Sequence, residues 1–100
     1  MAARIVAGEG AWAWDAGQVA WAGDEVELVH AGDVLRLDRL VRHHDGRWWV
    51  FDHKSAAHPE RDDALLAQLR RYVQAIAQLH PGEPVAGAFL TGEGRLVRLD

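Results

Sequence analysis

The chain has 100 residues, 49% of them hydrophobic, and a formal net charge of −4 at pH 7. This length predicts a single domain with one modest core, covering residues 1–100. Because the chain has no cysteine, a disulfide framework and a thiolate zinc site are excluded. No apolar run approaches the ~18 residues of a membrane span. We therefore expect a cytoplasmic protein without a membrane partner. Its acidic balance also argues against a domain that holds DNA by its own basic surface.

Residues 1–24 are the hardest part of the chain to interpret. Within them, Ala11–Asp15 and Val19–Gly23 alternate large and small residues, which is typical of short strands or hairpin pieces. The three tryptophans at positions 12, 14 and 21 could form a platform on which bases or sugars stack. Packing in the core or at an interface is the favoured alternative, because burial of area dominates what tryptophan contributes.

From Glu25 onward the pattern predicts strands. Glu25–His30 and Val34–Arg42 form a predicted hairpin, and the Asp45-Gly46 turn leads to a third strand, Trp48–Lys54. In the second strand, alternation predicts one face with Leu35, Leu37, Arg39 and Val41, and another with Val34, Arg36, Asp38 and Leu40. Asp38 interrupts a row of branched residues, an inconsistency that often marks a functional position.

A long amphipathic helix follows the polar connection Ser55–Arg61. Asp62 or Asp63 can cap its start, and His80-Pro81-Gly82 ends it. Its apolar stripe recurs at spacings of four and three residues: Leu65, Leu69, Tyr72, Ile76 and Leu79. Two further strands, Glu83–Leu90 and Arg95–Leu99, close the chain. The order predicts an α+β fold, with a mixed sheet of about five strands covered on one face.

Asp52 and Lys54 form the centre of the predicted site. Residues two apart on a strand point to the same face, so both side chains emerge together at the end of an apolar segment. Pairing of the second and third strands brings Asp38 near the same patch. Carboxylates are ligands that Mg²⁺ prefers, and a neighbouring lysine can orient water or stabilise charge on a phosphate. An exposed ion pair at a strand end is the alternative for Asp52 and Lys54.

The remaining polar residues predict less. Gln68 and Tyr72 share a helix face and could reach a phosphate, although Tyr72 is equally explained by the apolar stripe. The six histidines show no zinc-ligand spacing. The glycine pairs Gly8/Gly10 and Gly92/Gly94 lack the lysine or helix of a phosphate-binding loop, so we expect no nucleotide to bind to this segment.

Several motifs occur in a fixed order along the chain. They are Leu35–Val41, Trp48–Lys54, Gln68-Leu69-x-x-Tyr72, Leu79–Val85 and Ala88–Thr91. Together they resemble the C-terminal nuclease domain of RecB/AddA-type helicase–nucleases, the exonuclease V beta-subunit family of the PD-(D/E)XK nucleases. The resemblance extends from about Glu25 to Leu99.

The resemblance implies a restriction-endonuclease-like core with a metal-dependent nuclease site. Asp38 and Asp52 would bind Mg²⁺ or Mn²⁺, Lys54 would be the catalytic lysine, and Gln68, Tyr72 and Glu25 would support them. The implied activity is exonuclease or endonuclease cleavage of DNA during double-strand-break repair and recombination. An ATP-dependent helicase motor, in the same chain or the same complex, would deliver the single strand. We accordingly expect this segment to be part of a longer helicase–nuclease chain.

Two other functions are compatible with the sequence. The domain could be a catalytically inactive nuclease fold, retained for docking or DNA binding in the same kind of complex. It could also be a free-standing binding module that uses the aromatic platform of Trp12, Trp14 and Trp21.

Overall fold

A five-stranded mixed sheet and one long helix form the part of the chain that the computed structural model describes, residues 8–99. The elements are β1 (Val19–His30), β2 (Asp33–His43), β3 (Trp48–Lys54), α1 (Asp63–Leu79), β4 (Val85–Thr91) and β5 (Leu96–Arg98). The strands lie in the order β1-β2-β3-β4-β5; β3 and β4 are parallel, and the other neighbours are antiparallel. This confirms the predicted α+β fold with one helix after the third strand.

Helix α1 is the crossover that joins the parallel strands β3 and β4. Asp62 is its N-cap, since the Asp62 Oδ1 atom accepts hydrogen bonds from the backbone N–H groups of Ala64 (2.9 Å) and Leu65 (3.3 Å). The helix ends at Leu79, and Gly82 then takes a left-handed φ of +84° that suits glycine. Within residues 8–99, no helix is long and apolar enough to cross a membrane.

Both faces of the sheet are covered, whereas we expected cover on one face only. The helix-side cluster includes Leu37, Val50, Leu69, Ile76 and Phe89. The cluster on the opposite face consists of Ala13, Val41, Phe51, Ala88 and Leu90, with Trp12, Trp14 and Trp49 packed against it. The additional cover therefore comes from the N-terminal tryptophan segment.

That segment also corrects a prediction of secondary structure. Ala11–Trp14 forms a 3₁₀ turn and not a strand. Backbone bonds from Ala13 N–H to Gly10 O and from Asp15 N–H to Trp12 O, both 3.0 Å long, hold the turn. The small residue that alternation places between two tryptophans, Ala13, is fully buried against the sheet. Val19–Gly23 does belong to a strand, because β1 begins at Val19.

Near Asp38, the side chains of β2 no longer alternate regularly between the two faces of the sheet, although the sequence predicted regular alternation. Leu35, Leu37 and Leu40 all lie in the helix-side cluster, while Val41 belongs to the opposite cluster. Glu25 lies opposite Asp38, between the pairs Asp24–Arg39 and Val26–Leu37, and has a left-handed φ of 51°. A non-glycine residue in this region is strained, and such strain concentrates at functional positions. At this irregularity, the direction of the Asp38 side chain is not fixed by the alternation of the apolar residues before it.

Gly87 on β4 provides a test of the close contact between α1 and the sheet. A Cβ atom at this position would lie 2.7 Å from Val73 Cγ2 and 3.2 Å from Leu69 Cγ. We expect Gly87→Ala to lower the free energy of unfolding by about 1–3 kcal/mol, because overpacking forces the helix outward. Gly17→Ala, in an exposed turn where the new Cβ would approach only the side chain of Asp15, is the matched control. Equal denaturant midpoints for the two variants would contradict the proposed contact.

Candidate active site

The two carboxylates of the candidate site meet where β2 and β3 separate. Regular pairing of these strands runs from Arg42–Trp48 to Arg39–Phe51 and stops there. Asp38 and Asp52 follow as the next opposed residues. The backbone N–H of His53 donates to Asp38 Oδ2 at 2.8 Å, so the Asp38 side chain replaces a backbone acceptor at the end of the pairing. This bond holds Asp38 beside the end of β3.

Asp52 is almost completely buried, with 4% of its surface exposed. Lys54 Nζ lies 3.4 Å from Asp52 Oδ2, which confirms that the two side chains share a strand face. The contact is an ion pair without a hydrogen bond, and the buried Oδ2 atom has no hydrogen-bond partner. A buried carboxylate oxygen without a donor is costly, and such an atom requires an explanation such as an ion or water.

Burial raises the pKa of Asp52 to about 6, from an ordinary value of 3.8. The neighbouring Asp38 carboxyl raises this pKa as well, while the Lys54 ammonium opposes the shift. The protein therefore holds two carboxyl groups close together with too little positive charge nearby. This is the electrostatic environment that a divalent cation would relieve.

The donor set fits a hard cation with a partly open coordination shell. Asp52 Oδ2 is unpartnered, and the carboxylates of Asp38 and Asp52 supply hard oxygen atoms. Among residues 8–99, no three His, Asp or Glu side chains converge as a complete ligand set. Mg²⁺ commonly binds through one or two carboxylates, with waters and substrate phosphates completing its shell. Two carboxylates are therefore compatible with a magnesium or manganese site.

Tyr72 lies close to the carboxylates of Asp38 and Asp52. Gln68 lies one helical turn before Tyr72 on α1. Burial raises the pKa of Tyr72, and the charges of Asp52 and Asp38 raise this pKa further. The phenol therefore lies within the field of both acids while its ring packs against the helix-side cluster. Gln68 is exposed and lines, together with Tyr72, a groove between α1 and β2.

Glu25 lies near Asp38, but its carboxylate faces a different partner. Asp24, Glu25, Asp38 and His53 line one open depression. Within it, Glu25 Oε1 pairs with Arg36 Nη2 at 2.8 Å, and the Glu25 side chain is 70% exposed. A supporting role for Glu25 at a metal would require this exposed ion pair to open.

Arg39, which the sequence did not single out, follows Asp38 on β2 and contacts the N-terminal turn. Its side chain is 8% exposed, and its guanidinium donates to Asp24 Oδ1 at 2.7 Å and to Ala13 O at 2.8 Å. It also lies 4.4 Å from the centre of the Trp14 ring, which packs beside the His53 ring at 6.1 Å. An arginine inside an apolar strand, directly after Asp38, was the available signal. Its burial depends on the N-terminal turn, which alternation did not predict.

The three N-terminal tryptophans do not form a common platform. Trp12 packs edge-on against Trp49 at 5.1 Å, and Trp14 lies against Arg39 and His53. Trp21, 48% exposed, instead approaches Trp48, which belongs to the helix-side cluster. Their distribution over different neighbours favours the packing interpretation.

Comparison with known proteins gives one family assignment. The model of the PD-(D/E)XK nuclease superfamily matches residues 2–99. No curated protein matches the chain significantly. A solved structure titled "Crystal structure of SSO0001" is 19% identical, with a TM-score of 0.47, over 78% of this chain and 40% of that one. The chain thus spans less than half of the length of that protein. Because the family model covers nearly all of its residues, the chain belongs to the PD-(D/E)XK nuclease superfamily.

Proposed function

We propose that this domain is an Mg²⁺-dependent deoxyribonuclease module that hydrolyses phosphodiester bonds of single-stranded DNA. The observation that carries the proposal is the meeting of Asp38, Asp52 and Lys54 at the end of β3. Asp38 is held by the His53 N–H group, and Asp52 is buried with an unpartnered oxygen 3.4 Å from Lys54. Membership of a nuclease superfamily supports the same chemistry.

Each of the three residues has a distinct proposed role. Asp38 and Asp52 hold the cation, which when bound supplies the positive charge that polarises a phosphate and acidifies water. The Lys54 ammonium orients the attacking water or stabilises negative charge on the phosphate. Tyr72 lies in the electrostatic field of both carboxylates. Together with Gln68 and Glu25, it would contact the substrate or hold Asp38, Asp52 and Lys54 in position.

We further propose that the module works inside an ATP-dependent helicase–nuclease of the RecB/AddA type, in double-strand-break repair and recombination. The motif order from Glu25 to Leu99 supports this context. The net charge of −4 supports it too, because a domain with little general attraction for DNA benefits from a motor that delivers the strand. Degradation of duplex DNA by the full-length protein or complex should then require ATP, whereas cleavage of single-stranded DNA should not.

A cleavage assay with Asp38→Asn tests the nuclease proposal directly. With Mg²⁺ or Mn²⁺ the full-length protein should cut a labelled single-stranded oligonucleotide, and EDTA should stop the reaction. Asp38→Asn should lower the rate at least 100-fold, a loss typical of a removed catalytic contact. Glu93→Gln, which changes an exposed carboxylate in the β4–β5 turn, should cleave normally.

The same assay separates the nuclease from the alternative of an inactive scaffold. A scaffold would show no metal-dependent cleavage in the full-length protein or complex, while deletion of the domain would still disrupt assembly or DNA binding. Wild-type cleavage by Asp38→Asn would instead show that the active site lies elsewhere in the protein.

A further inference from the structure

A groove of about 620 Å³ between β2 and α1 lies beside the proposed active site. Among its lining residues are Arg36 and Leu35 from β2 and Gln68, Arg71 and Tyr72 from α1. Two arginines, an amide and a phenol thus border one open channel, and the Arg36 guanidinium lies at its boundary with the depression around Glu25. The neighbouring depression around Glu25 and Asp38 is lined by three carboxylates and a histidine, and the Arg36–Glu25 ion pair joins it to the groove.

The groove and the carboxylate site are adjacent through two residues. Tyr72 lines the groove and lies in the electrostatic field of Asp38 and Asp52. Arg36 precedes Asp38 by two positions on β2. Two strand residues span about 7 Å, a length comparable to the separation of successive phosphates in an extended single strand. Arg36 therefore lies within reach of a neighbouring phosphate of a strand that has one phosphate at the carboxylates.

Both arginines are held in ion pairs that a phosphate can replace. Arg36 pairs with Glu25 at 2.8 Å, and Arg71 pairs with Asp33 at the start of β2. The four side chains are between 42% and 70% exposed. Exposed pairs of this kind contribute little net stability, whereas arginine binds phosphate through two parallel hydrogen bonds. Glu25 and Asp33 thus hold the two guanidinium groups in place, and a phosphate of a bound nucleic acid would replace these carboxylates.

From these observations we propose that the Arg36–Arg71 groove is a binding subsite for single-stranded DNA, which holds the two phosphates next to the scissile one. This inference rests on the proposed nuclease function and adds the path of the substrate. An unpaired strand fits better than a duplex, because the two arginines line a single groove and the partly exposed Tyr72 ring offers a face for an unpaired base.

Binding of a fluorescent single-stranded oligonucleotide to the full-length protein in EDTA tests the subsite without cleavage. Arg36→Ala and Arg71→Ala should each weaken binding about tenfold, as expected for loss of a hydrogen bond between charged groups. The slope of log K against log salt should fall by about 0.7 for each lost contact, and by about 1.4 in the double variant. Arg70→Ala changes an exposed arginine of α1 outside the groove and should alter neither quantity appreciably.

Asp33→Asn supplies a test in the opposite direction. Because this change removes the competing carboxylate of Arg71, it should tighten binding of the oligonucleotide several-fold while leaving the groove intact. A general loss of folding cannot produce tighter binding, so this variant remains informative if an arginine variant is unstable. Unchanged or weaker binding by Asp33→Asn would overturn the proposed role of Arg71.

The outcomes distinguish the subsite from the nuclease proposal. Cleavage that depends on Asp38, combined with wild-type binding and salt slope in Arg36→Ala/Arg71→Ala, would overturn the subsite alone. Arginine-dependent binding without any metal-dependent cleavage would overturn the nuclease function and leave the groove as a DNA-binding surface. If the arginine variants lost affinity for a duplex and kept it for a single strand, the assignment of an unpaired substrate would be wrong.

Discussion

Asp52→Asn should abolish metal-dependent cleavage and, in the absence of metal, make the folded protein more stable at neutral pH. Both effects have the same origin. The carboxylate is buried beside Asp38 with an oxygen that lacks a hydrogen-bond partner, which makes it suitable for a cation and unfavourable without one. We expect cleavage to fall at least 100-fold, because removal of a charged metal ligand removes electrostatic stabilisation of the reaction.

The effect on stability should depend on pH with a defined sign. The folded-state pKa of about 6 exceeds the ordinary value of 3.8, so the folded protein holds a proton that the unfolded chain releases. The free energy of unfolding of the wild type should therefore fall by up to about 3 kcal/mol as pH rises from about 4 to about 6. Above pH 6 it should stay at the lower value. Asp52→Asn should lack this loss.

Denaturant unfolding in EDTA between pH 4 and pH 8 measures the difference. The stability gap between Asp52→Asn and wild type should be small at the acidic end and largest above pH 6. Glu93→Gln, with an exposed carboxylate, should follow the wild-type curve. Added Mg²⁺ should stabilise the wild type and leave Asp52→Asn nearly unchanged, because a ligand stabilises only the state that binds it. A variant less stable than wild type at pH 8 would contradict the assignment of Asp52 as a strained carboxylate.

Lys54→Met should abolish cleavage and destabilise the protein, the opposite effect on stability from Asp52→Asn. Loss of the ammonium 3.4 Å from Asp52 removes the charge that lowers the pKa of that carboxyl. Breaking a fully buried ion pair costs ~3–5 kcal/mol. Since the Lys54 side chain is 25% exposed, we expect a smaller loss of about 1–2 kcal/mol at neutral pH. Cleavage should fall at least 100-fold, as for other groups that stabilise transition-state charge.

Two further variants separate the charge of Lys54 from its chemistry. Lys54→Arg keeps a positive charge but not the compact ammonium, so it should retain most of the stability and lose cleavage. The double variant Asp52→Asn/Lys54→Met should be more stable than Lys54→Met alone, because the neutral amide needs no cation. If both single substitutions destabilised the fold and their effects added in the double variant, the two side chains would not be coupled.

Much of the secondary structure follows from local pattern. The strand-turn-strand order from Glu25 to Lys54 and the capped amphipathic helix are set by alternation, turn residues and helix periodicity, all of which act within a few positions. The shared face of Asp52 and Lys54 is also set by local pattern, because side chains on a strand point to the same face every two residues. These predictions agree with the structure for that reason.

Local pattern fails where a distant segment supplies the contact. The sequence of Ala11–Trp14 alternates like a strand, yet it forms a 3₁₀ turn because Ala13 and Trp12 pack on the face of the sheet opposite α1. Arg39 is buried where that turn offers it the Ala13 carbonyl and the Trp14 ring, beside its ion pair with Asp24. The sequence of β2 shows an arginine among apolar residues, but its partners Ala13 and Trp14 lie outside that strand.

The sequence by itself determined the order of the elements, the facing of Asp52 and Lys54, and the resemblance to a family of nucleases. Only the tertiary structure decided how Asp38 reaches them, through the His53 N–H group and a strained Glu25 opposite it. It also decided that Tyr72 and the Arg36–Arg71 groove lie beside the carboxylates. The physical reason is that the crossover of α1 and the end of the β2–β3 pairing bring together residues that are far apart in the chain.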